Sequence, residues 1–173
     1  MSEPVVREGT VHDAKKLASN LREADRREIE YKSGLSPAIV LTAPFARRTP
    51  RKVFSIVRDA QVLGMFGVSM IGLHPQHGPV GTPWLVGTDE LTERYARRFI
   101  REAPLWLEEI SRGYGLLENY AYAGNRLHIR WLKKLGFELV ERIEQFGIAG
   151  KPFYRFRRIL ATRPVVPLGL TKK

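Results

Sequence analysis

The amino-acid sequence predicts an α+β domain in which helices flank one mixed, mostly antiparallel sheet. Three observations predict it. Strand-like runs come as adjacent pairs joined by tight links. Helical stretches long enough to cross over a sheet separate those pairs. No linker or internal repeat divides the 173 residues, a length that suits one domain with a real core.

The elements follow in order. "PVVREGT" reads as a short strand ending at Gly9. Thr10 is placed to cap "VHDAKKLASNL", whose Val11, Ala14, Leu17, Ala18 and Leu21 recur at helical spacing. "READRREIEYKSG" continues helically to Gly34, a C-cap candidate. Its charges alternate in sign, the pattern of a solvated face carrying weak ion pairs. Ser36 caps a third helix, "PAIVLTAPFARR", with Pro37 in its first turn, and Pro44 is expected to bend or end it. "RRTPRK" is a basic turn. "KVFSIVRDA" and "QVLGMFGVSMIG" form a hairpin linked around Asp59, Ala60 and Gln61. "LHPQHGPVGTP" reads as a Pro/Gly loop and "WLVGT" as a compact strand. Thr88 or Asp89 then caps a long helix, expected to be interrupted at Pro104 and ended by Gly113 or Gly115. "LLENYAYAG" is a strand, and Asn125 caps the helix after it, satisfying a free N–H at about 1 kcal/mol. Gly136 and Phe137 lead back to the sheet. "GFELVERIEQFG" and "PFYRFRRIL" form a last antiparallel pair. Residues 1–160 are thus one domain, and "ATRPVVPLGLTKK" (161–173) is a Pro-rich basic tail able to dock on a neighbour.

Composition narrows the function. The chain has no cysteine, which removes disulfides, thiolate metal sites and a cysteine nucleophile. No apolar run approaches the ~20 residues of a membrane span, and the N-terminus lacks the apolar core of a signal peptide. The expected location is a virion or the host cytoplasm. The net charge of +11 and pI of about 10.3 favour a polyanionic partner such as nucleic acid, an acidic protein surface or a phosphorylated cofactor.

Few residue patterns carry chemistry. His74 and His77 share a loop but lack a third ligand, so no metal site is expected. His12 and His128 have no partner identifiable in sequence and read as structural or surface residues. Ser19, Ser55, Ser69 and Ser111 sit in no nucleophile-elbow pattern. Glu23, Asp25 and Glu28 are read as pairing with Arg22, Arg26 and Arg27 on a solvated face. Arg94, Arg97, Arg98 and Arg101 recur at three- and four-residue spacing, a basic stripe for phosphates or carboxylates. In "FYRFRRI" the strand period puts Tyr154 and Phe156 on a buried face and Arg155 and Arg157 on a solvated one. Trp84, Trp106 and Trp131 read as core or cleft-lining. No sequence-reading DNA motif is present.

The element order, with Asn125 and Gly136-Phe137 late in the chain, resembles the GNAT superfamily of N-acetyltransferases over roughly residues 3–160. Through "LREADRREI", "PWLVGTDEL", "AGNRLHIRWLKKLGF" and "FYRF" the chain also resembles a small family of internal virion proteins from short-tailed bacteriophages. The first resemblance implies acetyl-coenzyme A as cofactor, with Val86, Gly87, Arg94, Arg97 and Asn125 as the positions that would hold it. It makes Asp25 and Glu28 the weak candidates for a general base beside an acceptor amine. Two departures stand against a working enzyme. The family holds pyrophosphate on backbone N–H groups of a Gln/Arg-x-x-Gly-x-Gly/Ala loop, and here "RYARRF" puts Arg97 and Phe99 where small residues are needed. The Tyr that often follows the Asn by seven positions, as general acid, is Leu132.

The resulting expectation is a catalytically degenerate GNAT-like phage protein that binds no cofactor. It would act in virion morphogenesis or genome ejection through phage structural or ejection proteins, or DNA. The alternative is an active acetyl-coenzyme A-dependent N-acetyltransferase for an amine on a host or phage protein. Nonspecific nucleic-acid binding is a third. A splayed gap between residues 84–88 and 117–123 favours a cofactor; one plugged by Trp84, Phe99 or Trp131 favours a scaffold.

Overall fold

The computed structural model describes residues 2–46 and 51–160. The tail at 161–173 and most of the "RRTPRK" turn lie outside the described residues. In chain order the elements are β1 (Val5–Glu8), α1 (Val11–Ala18), α2 (Glu23–Ser33), α3 (Pro37–Ala46), β2 (Arg51–Arg58), β3 (Gln61–His74) and β4 (Gly78–Gly87). Then come α4 (Asp89–Arg94), α5 (Ala96–Ser111), β5 (Leu116–Tyr122), α6 (Arg126–Lys134), β6 (Glu138–Phe146) and β7 (Lys151–Ile159). The strands form one seven-stranded sheet ordered β1-β2-β3-β4-β5-β7-β6. Every neighbouring pair is antiparallel except β4 and β5. The α+β single-domain expectation holds.

Local chemistry sets many of the boundaries. Thr10 caps α1 through a capping box: its hydroxyl accepts from Asp13 N, and the Asp13 carboxylate accepts from Thr10 N. Gly34 ends α2 in the left-handed region at φ 70°, where a Cβ is unfavourable. Thr88 caps α4 through its hydroxyl. The β2–β3 hairpin turns at Asp59 and Ala60 as its sequence predicts.

Three boundaries and one burial pattern differ from the sequence expectation. Helix α3 does not end at Pro44 but continues to Ala46, the last described residue before 51. The Pro/Gly segment is not a loop: β3 extends to His74 and β4 starts at Gly78, because Leu73 and His74 pair with Pro79 and Gly78. The long helix breaks at Tyr95 rather than at Pro104. There Arg58, at the end of β2, pairs with Glu90 and donates to the Tyr95 hydroxyl at 3.0 Å, anchoring α4 separately from α5. In β7 the fully buried rings are Phe153 and Phe156, three apart. They serve opposite faces: Phe153 packs on Tyr122 and Phe146, and Phe156 on Phe137 and His128. Tyr154 is only half-buried.

The sheet separates two cores. One face packs Ala14 and Leu17 of α1 and Leu41 of α3 on Val53, Val57 and Met65. The other packs Leu91 of α4, Leu107 and Ile110 of α5 and Leu132 of α6 on Ile56, Phe66, Leu117 and Phe156. Strand β2 shows the period of two: Val53, Ser55 and Val57 are buried toward α1, and Ile56 toward α5.

Candidate functional site

Strands β4 and β5 pair only at Val80–Leu116 and Gly81–Leu117. Gly81 permits this approach; a Cβ there would stand 2.6 Å from Val68 and 3.0 Å from Leu117 side-chain atoms. Beyond these two pairs the strands part. An unfilled gap would leave edge N–H and C=O groups without partners, which buried backbone rarely tolerates. Side chains supply the partners. Asn119 Nδ2 donates to Pro83 O across the gap at 2.8 Å. Gly87 N donates to Asp25 Oδ2 at 3.0 Å, and Gly87 O accepts from Arg22 N at 2.9 Å.

A polar network grows from that contact. Asp25 is 5% exposed and receives Arg22 Nη2 at 2.6 Å. Asn125, 1% exposed, accepts from Arg22 Nη2 at 3.0 Å and donates to Asp25 Oδ1 at 3.0 Å and Glu28 Oε2 at 3.1 Å. Glu28 also receives Tyr122 N at 3.1 Å and faces His128 Nδ1 at 3.2 Å. Two carboxylates bridged by Asn125, one arginine and an imidazole are thus held between α2, the end of β4 and the start of α6.

The electrostatics of Glu28 and His128 are mutual. Burial opposes the charge on both. The His128 charge, with hydrogen bonds from His128, Asn125 and Tyr122 N, outweighs that and holds Glu28 below its ordinary value. The Glu28 charge and hydrogen bond likewise hold His128 above its ordinary value. An ionised carboxylate beside an imidazolium is therefore the resting state at mildly acidic pH.

Three cavities meet at His128. An open cavity of roughly 1300 Å³, counting solvent at its mouth, lies between α2, α3 and β3–β5 and is lined by Glu28, Lys32, Trp84, Asn119 and His128. A second, of about 560 Å³ again counting solvent at its mouth, lies under α5 and α6 and is almost wholly apolar. Phe99 and Trp131 line it with their ring centroids 5.3 Å apart. A third, smaller one touches Arg22, Asp25 and Trp131.

Several expectations change here. Asn125 stands at the N-cap of α6 but makes no side-chain cap bond; its amide is consumed by Arg22, Asp25 and Glu28. Only Glu23 behaves as a surface ion-pair residue, meeting Arg27 at 2.8 Å and Arg26 at 3.9 Å. Asp25 and Glu28 turn inward instead. His128 is neither surface nor partnerless. Its signal was present: positions 128, 131, 132 and 135 share the inward face of an amphipathic helix. Ser55 is buried and donates to Asp13 at 3.0 Å. His74 and His77 stack at 4.6 Å at the tip of the β3–β4 hairpin. Among the described residues no three His, Asp or Glu side chains gather as metal ligands, and no helix is long and apolar enough to cross a membrane.

The residues suggested for a cofactor do not form a cradle. The Val86 side chain is buried with the α1–α3 core. Both backbone groups of Gly87 are bonded to the start of α2. Arg94 pairs with Glu90, Arg97 is exposed, and the Phe99 ring sits where the family pattern needs a small residue. A backbone pyrophosphate cradle does not fit these residues.

Comparison with solved structures decides the fold. A GNAT-family acetyltransferase from Streptococcus pneumoniae superposes with a TM-score of 0.59 at 14% identity, covering 91% of this chain and 100% of that one. The fold is that of the GNAT acetyltransferases. A ribosomal-protein-alanine N-acetyltransferase from Brucella melitensis matches with a TM-score of 0.65 at 18% identity, covering 90% and 99% of the two chains. A chain of the NatC complex bound to Gag peptide and CoA matches at 0.64 and 11%, covering 92% and 99%. No family model matches the sequence, and no curated protein matches it. In this chain Asn119 and Asp25 bridge the gap between β4 and β5, and the open cavity borders it.

Proposed function

We propose that this chain is a catalytically degenerate GNAT-fold protein that works by binding, in the assembly or genome ejection of a short-tailed phage particle. The observation that carries the degeneracy is the engagement of Gly87. Its N–H and C=O are both bonded to the start of α2, and Asp25 puts a negative charge there. A ligand phosphate entering that edge would displace a bonded carboxylate and then face it. The phage role rests on the sequence resemblance through "PWLVGTDEL" and "AGNRLHIRWLKKLGF". Its partners would be structural or ejection proteins of the particle.

A second reading has one observation in its favour. Glu28 and His128 form a carboxylate–imidazole pair bordering the roughly 1300 Å³ cavity, and its imidazole can accept a proton from a bound amine once it is deprotonated, on the alkaline side of its raised value. That arrangement fits the active N-acetyltransferase alternative, with acetyl-coenzyme A as the co-substrate; the NatC complex among the similar structures was solved with CoA. Isothermal titration with acetyl-coenzyme A separates the two. The degenerate reading expects no heat of binding in the micromolar range. Micromolar affinity together with acetyl transfer to an amine overturns it.

A further inference from the structure

Beyond the cleft, exposed cations without an ion-pair partner among the described residues gather on one face of the sheet, with Lys15 and Lys16 of α1 as a smaller group on the other. Strands β4 and β5 are parallel, and α4–α5 and α6 follow them, so α5 and α6 lie on the same face of the sheet and run from the same edge. They touch through Phe99 and Trp131. Arg97 and Arg101 of α5, and Arg126, Arg130, Lys133 and Lys134 of α6, are all exposed. Spacings of four and three put Arg126, Arg130 and Lys133 in one stripe, and Arg97 and Arg101 in another. Helix α6 holds four cations and no carboxylate. Among the described residues, none of these six cations forms an ion pair, whereas their neighbours Arg94 and Arg98 are bound to Glu90, Glu3 and Glu102. Helix α2, on the opposite face, mixes Glu23, Glu28 and Glu30 with Arg26, Arg27 and Lys32.

Helix stability does not account for this pattern. The first turns of α5 and α6 contain no acidic residue and carry Arg97, Arg98 and Arg126. Positive charge at a helix N-terminus opposes the helix dipole, at ~0.3–1 kcal/mol per site. Lys133 and Lys134 suit the C-terminal end of α6 and need no other explanation. Arg97 and Arg126 do need one, and Arg101 and Arg130 extend their rows by one turn.

We propose that the α5–α6 face binds the phosphate backbone of duplex DNA without reading its bases. Two cationic rows on neighbouring helices of one sheet face, joined through Phe99 and Trp131, suit a linear polyanion bearing one charge per about 1.7 Å of its axis. The aromatic rings of these helices, Phe99, Trp106 and Trp131, pack inward on the apolar core. This face therefore offers no platform on which unpaired bases would stack, which favours duplex over single strands. The inference stands whether or not the cleft holds a cofactor.

The test is fluorescence anisotropy of a labelled duplex of about 30 base pairs with the full chain, between about 50 and 200 mM salt. Expected is binding that weakens with salt, with a log–log slope of about −3 to −4 for four phosphate contacts. R126E with R130E should weaken binding at least about tenfold and cut the slope by about 2. K15E with K16E, an equal charge change on exposed α1 positions, should leave the slope nearly unchanged. Circular dichroism confirms that each variant is folded. The proposal is overturned if the duplex does not bind at the lowest salt, or if the α1 variant weakens binding as much as the α6 variant. Equal competition by polyglutamate overturns it too, in favour of an acidic protein partner. Acetyl-coenzyme A titration is a separate measurement, so failure of the cleft reading leaves this result intact.

Discussion

Two carboxylate clusters are buried in the fold, one between α1 and β2 and one between α2, the end of β4 and the start of α6, and they are built for different ends. Asp13 accepts from Arg7 through both guanidinium nitrogens at 2.7 and 2.8 Å, from Thr10 N at 3.0 Å and from Ser55 Oγ at 3.0 Å. Burial opposes its charge, but these donors hold its carboxyl far below the usual range. No cavity described above reaches it. Asp25 and Glu28 are as well bonded, yet their network borders three cavities and carries an imidazole whose charge depends on pH. The first cluster ties β1, α1 and β2 together. The second closes the β4–β5 gap and also leaves a titratable pair facing space. The contrast teaches that satisfaction alone does not separate a structural carboxylate from a site. Adjacency to a cavity does.

Substitutions can break that contrast. The largest effect is expected for Asp13→Ala, which strands Ser55 and the Thr10 N–H and unpairs Arg7. A loss of about 3 kcal/mol or more is expected from urea unfolding. Binding of any cleft ligand should be unaffected in the folded fraction. A loss under about 1 kcal/mol would contradict the tie assigned to Asp13.

Asn125→Ala should cost less, about 2 kcal/mol, because Asp25 keeps Arg22 and Glu28 keeps His128. Asn125→Asp sharpens the point. It removes a donor to both Asp25 and Glu28 and adds a third carboxylate beside them, so it should destabilise more than Ala at neutral pH. Paired urea titrations of the two variants measure the difference, and equal losses would argue against a charge-dense network.

The smallest effect is the pH dependence that the second cluster contributes, whose alkaline side has no counterpart in the Asp13 cluster. Glu28 is held below its ordinary 4.5, so its stabilising contribution is present above about that pH and lost as pH falls through the depressed native value. His128 is held above its ordinary 6.5. Its contribution is complete below about 6.5 and lost as pH rises through the raised native value. The pair is expected to stabilise most between those ordinary values and to weaken on the alkaline side. His128→Gln should flatten the alkaline loss in urea titrations taken across this range. An unchanged slope would show that His128 does not carry it.

Much of the fold was legible because its determinants are local. The Thr10 capping box spans three residues, Gly34 needs only its own φ, and the alternation in β2 follows from the strand period. Tyr95 shows where locality fails. Pro104 was the visible helix breaker, yet the break sits where Arg58 binds Glu90 and Tyr95 from 32 and 37 positions away. The hairpin at His74 was hidden for a related reason. Pro79 and Pro83 read as loop formers until pairing with β3 supplies the strand.

The candidate site was legible only as a list of parts. From the sequence alone came the Asn at the start of α6, the acidic residues of α2, the missing glycines near Arg97 and the excess of positive charge. Only the tertiary structure decided what they do. Asn125 bonds Arg22, Asp25 and Glu28 across separations of 103, 100 and 97 residues, so no local pattern could assign it. Capping and periodicity act within a turn or two of chain and are written in neighbouring residues. The gap between β4 and β5 arises where two distant strands stop pairing. The groups that fill it are selected by buried backbone that must find partners there.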